Sequence, residues 1–366
     1  MKIFADYHHA GAAQAIQLLF AERLGHEVYF PSPRLCQQVC ELFPQKDGGK
    51  VWTFTSANSD TWAGVRHPEN VHLIDSGAEF NATAWDMIII SRTESQEIIE
   101  GLLQSYSRRP DVPILAVNGN QGARYEWTKV FGLLTSDLAA FRLAPATLPK
   151  LHYCQEIGAH FMDRPFRPIE QRDLTKVNCL MNFLPNYYQA YEWDGDRNLF
   201  CGCPHCGIRK QQTEQPTRRM SPLTLWKMTR DTCKCALFFS YGKGCEYGNV
   251  SNAELPSMYA MAALIWHTKH IEGYGFSLLQ SLAAGRLAIV QEGFYRYRTA
   301  GRFLVNGLTC FEVPWDPEAI AEKIEWYTLD LDRANRYARA CYEAARGLMN
   351  WEHEAERVGE WLERIL

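Results

Sequence analysis

The chain has 366 residues, enough for two domains of ordinary size, each able to bury its own core. Hydrophobic residues make up 46% and charged residues 22%, a globular composition that excludes a disordered chain. A net charge of −4 argues against a molecule that is a nucleic-acid or membrane binder over its whole surface. No apolar run reaches the roughly 18 residues of a membrane span, and Met1 opens no secretory signal. These features predict a cytoplasmic protein, in which the twelve cysteines are reduced or metal-bound rather than disulfide-bonded.

The opening reads strand, small-residue loop, helix, strand: residues 2–7, then HHAGAAQ, a helix over 15–25, and a strand over 26–31. Further strands are predicted at 71–75, 85–92, 112–120 and 130–137, with a helix over 94–109 that buries Ile98, Ile99, Leu102 and Leu103. Ligands of open parallel sheets bind beyond the carboxyl ends of the strands. His8, His9, Arg92, Asn118, Asn120, Ser136 and Asp137 are therefore candidates by position. The His8–His9 pair stands out, because two imidazoles beside a helix N-terminus are poor core material. No G-x-G-x-x-G follows the first strand, so a dinucleotide site of that kind is not supported.

Residues 162–173, with two prolines and mixed charge, read as a linker. A second α/β domain then begins with a strand over 176–184. A helix carrying Leu255, Met258, Tyr259 and Ala262 leads to a strand ending near His267. The stretch EGYGFSLLQSLAAG, residues 272–285, follows. It reads as a glycine-containing loop, then a helix with Phe276, Leu279 and Leu282 on one face, stopped by Gly285 before a strand over 287–291. Such a loop aims backbone N–H groups at an anion, as a diphosphate would require. Glu272 would repel a phosphate, so its place is with hydroxyls or nearby positive charge. Two or three amphipathic helices end the chain, the last presenting Trp351, Val358, Trp361 and Leu362 to a core.

The 272–285 stretch resembles the donor-sugar motif of retaining glycosyltransferases of the GT-B fold, family 4-like, in which two glutamates bracket the motif. Glu272 matches the first. Gln280 stands at the second, where the family usually has Glu, and leaves ribose binding to an amide. The strand entry Gly25, His26, Glu27 and Val28 resembles the N-terminal half of the same enzymes, and the helix before Glu272 resembles theirs as well. The family's usual Arg and Lys after the first strand of the second domain have no clear match.

The resemblance implies two Rossmann-like domains facing across a cleft. The expected division is 1–168 on the acceptor side, 174–348 for the nucleotide sugar, and 350–366 as a helix crossing back. It implies transfer of a sugar from a UDP-, GDP- or ADP-sugar with retention of configuration. Glu272 would contact the sugar. Gly273, Tyr274, Gly275, Phe276 and Ser277, with Lys269, would hold the diphosphate. Gln280 would meet the ribose, and His8 or His9 the sugar or acceptor. Lys269 fits by its own chemistry, since an ammonium neutralises phosphate as a point charge.

A Cys-rich insertion near 198–236 stands outside that pattern. Cys203 and Cys206 form a C-x-x-C turn, and Cys233 and Cys235 could complete a thiolate tetrahedron for a structural zinc, with Cys201, His205 and Cys245 as alternates. The chain between the two pairs is basic and could meet an anionic acceptor such as DNA. The chain also resembles glycosyltransferase-like proteins of bacteriophages, some of which modify hydroxymethylated DNA bases. Two further readings follow: a phage DNA glycosyltransferase, and a non-enzymatic zinc-stabilised binding protein on the same scaffold. The acceptor and the oligomeric state stay open.

Overall fold

The computed structural model describes residues 1–6, 10–42, 68–90, 99, 101, 112–118, 127–180, 222–242, 245–251, 253–269, 272, 274–296 and 298–366. His8, His9, Arg92, Asn120, Cys201, Cys203, His205, Cys206 and Gly273 lie outside these residues, as does the helix expected over 94–109 apart from Ile99 and Gly101. The chain divides into two units, Met1–Gly158 with Trp351–Leu366, and Ala159–Asn350. Both are α/β units built on a parallel sheet.

The first unit carries β1 (Lys2–Ala5), α1 (Ala10–Ile16), β2 (Glu27–Pro31), α2 (Pro33–Leu42), β3 (Val71–Ile74), α3 (Gly77–Ala82), β4 (Met87–Ile90), β5 (Ile114–Asn118), β6 (Gly132–Thr135), α4 (Leu138–Leu143) and β7 (Lys150–His152). The seven strands lie in the order β3-β2-β1-β4-β5-β6-β7, all paired parallel. A parallel sheet is covered on both faces, which is why β4 is a continuous apolar run, Met-Ile-Ile-Ile, buried throughout. The two-residue period of a strand sorts its side chains. Phe4, Ile88, Ile90 and Ala116 join Leu35, Phe80 and Trp85 on one face. Ile3, Ala5, Met87, Ile89 and Leu115 join Ile16 and Phe20 on the other. α1 continues through Gln17–Arg23 as a wider turn, closed by the Leu24 N–H on the Leu19 carbonyl at 3.0 Å.

The chain's last helix, α11 (Trp351–Ile365), lays Ala355, Val358, Trp361 and Leu362 into that second core. Gly132 opens β6 beneath it. A Cβ there would lie 3.1 Å from Ile365 and 3.3 Å from Trp361, so the glycine permits the close approach.

The second unit carries α5 (Ala159–Met162), β8 (Lys176–Leu180), α6 (Pro222–Thr232), β9 (Leu237–Tyr241), α7 (Leu255–Ala260), β10 (Leu264–Trp266), α8 (Phe276–Ala283), β11 (Ala288–Gln291), β12 (Cys310–Val313), α9 (Pro317–Thr328) and α10 (Leu331–Leu348). Its five strands run parallel in the order β12-β11-β10-β8-β9. Sequence patterning missed β7, β9 and β12. All three lie at sheet edges, and Lys150–His152, with three residues, is too brief for an alternation to register.

Residues 162–173, which read as a linker, are bound along their length inside this unit. The Ile169 N–H donates to Asn335 Oδ1 at 2.7 Å, and Asn335 Nδ2 returns a bond to the Ile169 carbonyl at 3.0 Å. Arg346 donates to the carbonyls of Met162 and Arg164 at 2.6 and 3.0 Å. Arg286 is fully buried and donates to the carbonyls of Ala262, Ala260 and Arg167 at 2.7, 2.8 and 2.8 Å. One planar guanidinium thus ties the end of α7 to residues 162–173 and satisfies carbonyls that are buried or partly buried.

Candidate active site

β10 ends at Trp266, and the chain then turns through His267, Thr268 and Lys269 to Glu272 and the start of α8. This loop lies beyond the carboxyl end of a central strand, where parallel sheets present their ligands. Gly275 precedes α8 with φ +92°, a left-handed conformation that costs glycine little. A Cβ there would also lie 3.4 Å from the Ala300 Cβ. The N-cap of α8 makes no side-chain hydrogen bond. The first N–H groups of a helix have no intrahelical acceptor, so those of Phe276 and Ser277 find none within α8. α8 closes with paired bonds: Gly285 N–H to Leu282 O at 2.9 Å and Arg286 N–H to Ser281 O at 2.9 Å, with Gly285 at φ +70°. Its buried face is carried by Leu278, Leu279 and Leu282. Phe276, expected on that face, is half-buried and packs edge-on against Tyr274 at 5.1 Å.

Glu272 is the electrostatic centre. Its Oε2 accepts from Lys269 Nζ at 2.7 Å and from His267 Nε2 at 2.9 Å. Its own carbonyl accepts from Arg298 Nη1 at 2.7 Å. Glu272 is 11% exposed, Lys269 14% and His267 1%. Burial by itself would raise the Glu272 carboxyl, but the Lys269 charge and the His267 hydrogen bond outweigh it and hold the group far below the usual carboxylate range. Burial, and then the Lys269 charge, push His267 below its ordinary value against the pull of Glu272, so the imidazole is neutral near pH 7. An ionised carboxylate only accepts, so Nε2 carries the proton. Nδ1 is then the acceptor toward Ser277 Oγ, 3.5 Å away. The result is a charged and rigid constellation, Ser277–His267–Glu272–Lys269, at the mouth of a helix.

Lys269 therefore stands on the carboxylate, which changes its expected role from a lone phosphate partner to one shared with Glu272. Gln280 is buried, and its Oε1 accepts from the Tyr259 hydroxyl at 3.2 Å. The oxygen that was expected to accept from a ribose is thus already engaged by α7. Ser136 and Asp137 are buried after β6 in the first unit. Cys233 and Cys235 lie together, 3.8 Å between Sγ atoms. Sequence reasoning missed Arg298 and the His267 bond. Arg298 reaches Glu272 from a loop 26 residues on, and nothing local announces it.

Residues 245–346 match the family model described as Glycosyl transferases group 1, a span that contains the whole Glu272 constellation. The chain thus carries a glycosyltransferase domain and is an enzyme of that class. No curated protein matches the sequence. Solved structures of similar fold include Anabaena HepE in complex with UDP-glucose, at 10% identity over 100% of both chains with a TM-score of 0.60. Sucrose-phosphate synthase from Thermosynechococcus elongatus is similar at 12% identity over 100% of this chain and 99% of that one, with a TM-score of 0.60. TarM from S. aureus is similar at 10% identity over 76% of this chain and 55% of that one, with a TM-score of 0.50. Among the described residues, no helix is long and apolar enough to cross a membrane.

Proposed function

We propose that the chain is a retaining GT-B glycosyltransferase whose second unit binds a nucleotide diphosphate sugar at the Glu272 loop. The observation that carries this reading is the buried Glu272 carboxylate, held ionised beside an uncapped helix N-terminus, inside the segment that matches the group 1 family model. Glu272 Oε2 is fixed by Lys269 and His267, which aims the carboxylate at sugar hydroxyls. The N–H groups at Gly275, Phe276 and Ser277, with the ammonium of Lys269, receive the diphosphate as charge builds on the leaving group. Gln280, its oxygen turned to Tyr259, offers its NH2 group to a ribose hydroxyl. His8 and His9 are the first unit's candidates for meeting the sugar or the acceptor.

A uridine donor is the first to test, because the HepE structure of similar fold holds UDP-glucose. Calorimetric titration with UDP-, GDP- and ADP-glucose should show one binder. That binding should be lost in Glu272→Gln, a variant that keeps size and one acceptor oxygen. The donor that binds is then used in an acceptor screen that reads release of the nucleoside diphosphate, with hydroxymethylated DNA among the acceptors. A DNA acceptor would show binding that falls steeply with salt. A folded chain that binds no nucleotide sugar would overturn the donor-site reading.

A further inference from the structure

Two thiols and a carboxylate converge at the amino ends of the second unit's strands, beside the edge strand β9, whereas Glu272 lies beyond their carboxyl ends. Cys233 follows the last turn of α6, its N–H donating to the Thr229 carbonyl at 2.8 Å. Cys235 stands just before β9, which begins at Leu237. Glu325 comes from the last turn of α9. The two Sγ atoms and a carboxylate oxygen of Glu325 lie within 4.8 Å of one another. Cys233 is buried, and Cys235 and Glu325 are half-buried.

The spacing is informative. Two thiolates bound to one tetrahedral zinc at about 2.3 Å each are roughly 3.8 Å apart. The Sγ atoms here are 3.8 Å apart. A disulfide would require them to close to about 2.05 Å. The carboxylate is also held in place: the N–H of Lys234, between the cysteines, donates to Glu325 Oε1 at 3.2 Å.

We propose that Cys233, Cys235 and Glu325 form a binding site for a thiophilic divalent ion, zinc in the first instance, which pins the end of α6 to the end of α9. Thiolate donors select zinc over magnesium or calcium. This ligand set differs from the four-cysteine set expected from the sequence by including Glu325, with water assigned as the fourth ligand; Cys203 and Cys206 lie outside the described residues. β8, β9 and β10 run parallel, so Cys235, before the amino end of β9, and Glu272, beyond the carboxyl end of β10, sit at opposite ends of the strands. The ion is therefore architectural, and the proposal stands independently of sugar transfer.

The test uses the full chain, stripped with chelator and titrated with Zn2+ and with Co2+. Metal content is read by mass spectrometry, and thiolate-to-cobalt charge-transfer absorption by spectroscopy. Stoichiometric binding with that absorption is expected, along with a higher unfolding midpoint. Cys233→Ser and Cys235→Ser should each abolish the absorption. Glu325→Gln should weaken zinc affinity by about tenfold or more with an unchanged circular dichroism spectrum. The double variant Cys203→Ser/Cys206→Ser should keep both the metal and the absorption. Unchanged affinity in Glu325→Gln, metal loss in the Cys203/Cys206 variant, or a metal-free protein with a Cys233–Cys235 disulfide would each overturn the assignment.

Discussion

The ion pair in the Glu272 loop makes a quantitative prediction about the protein without substrate. Glu272 and Lys269 are 11% and 14% exposed and meet at 2.7 Å, with His267 as a third, neutral member. Removing one partner of a buried pair leaves the other charge uncompensated, at a cost of about 3–5 kcal/mol. Residual solvent access puts Glu272→Ala and Lys269→Met at the lower end, about 3 kcal/mol each. Glu272→Ala also strands the His267 N–H, for about 1 kcal/mol more. The double variant removes both charges, so its loss should be about 1–2 kcal/mol, far less than the sum. A loss of about 3 kcal/mol should lower the unfolding midpoint of a unit this size by roughly 6–12 °C. The assay is urea and thermal unfolding of the four proteins, read by tryptophan fluorescence and circular dichroism and combined as a double-mutant cycle. Because the pair is buried, the coupling should persist at high salt. Additive single effects, or a coupling erased by salt, would refute the reasoning and return Lys269 to the surface.

Other predictions follow from the same structure. Burial holds His26, His160 and His267 below the ordinary histidine value of 6.5, so the unfolded chain takes up protons first as pH falls. Their contribution to stability is complete above about pH 6.5 and declines below it, by up to about 1.4 kcal/mol per pH unit per group. Urea midpoints at pH 7.5 and 5.5 should show the fall, and His267→Gln should lessen it. Arg286→Met leaves one buried and two partly buried carbonyls without their donor and should cost about 2–4 kcal/mol by chemical denaturation, while Arg286→Lys, able to reach one of them, should recover less than half. Gly285→Ala should cost about 2 kcal/mol or more, because a Cβ there lies 2.9 Å from the Ala338 carbonyl at φ +70°. Gly347→Ala, in α10 with nothing within 4 Å of its Cβ, should instead stabilise by about 0.5 kcal/mol.

Periodicity along the chain was enough to expose the two α/β halves. Strands such as Met87–Ile90 must be apolar on both faces if a parallel sheet is to be covered on both sides, and that pattern survives in a single sequence. The loop-helix unit from Glu272 to Gly285 was legible for a similar local reason, since a positive-φ glycine at each end of α8 marks where a helix must start and stop. What sits on Glu272 was legible only in part. Lys269 and His267 are its neighbours in sequence, but their approach to a single oxygen depends on how the turn closes. Arg298 and Glu325 carried no local signal, because each reaches its partner from an element far along the chain. The same holds for α11, whose amphipathic pattern demanded a core without saying which. The resemblance offered the first unit as an expectation, but the pattern itself could not choose it, because a hydrophobic face is non-directional and is satisfied by whichever apolar surface the tertiary fold brings within reach, here the core over Gly132.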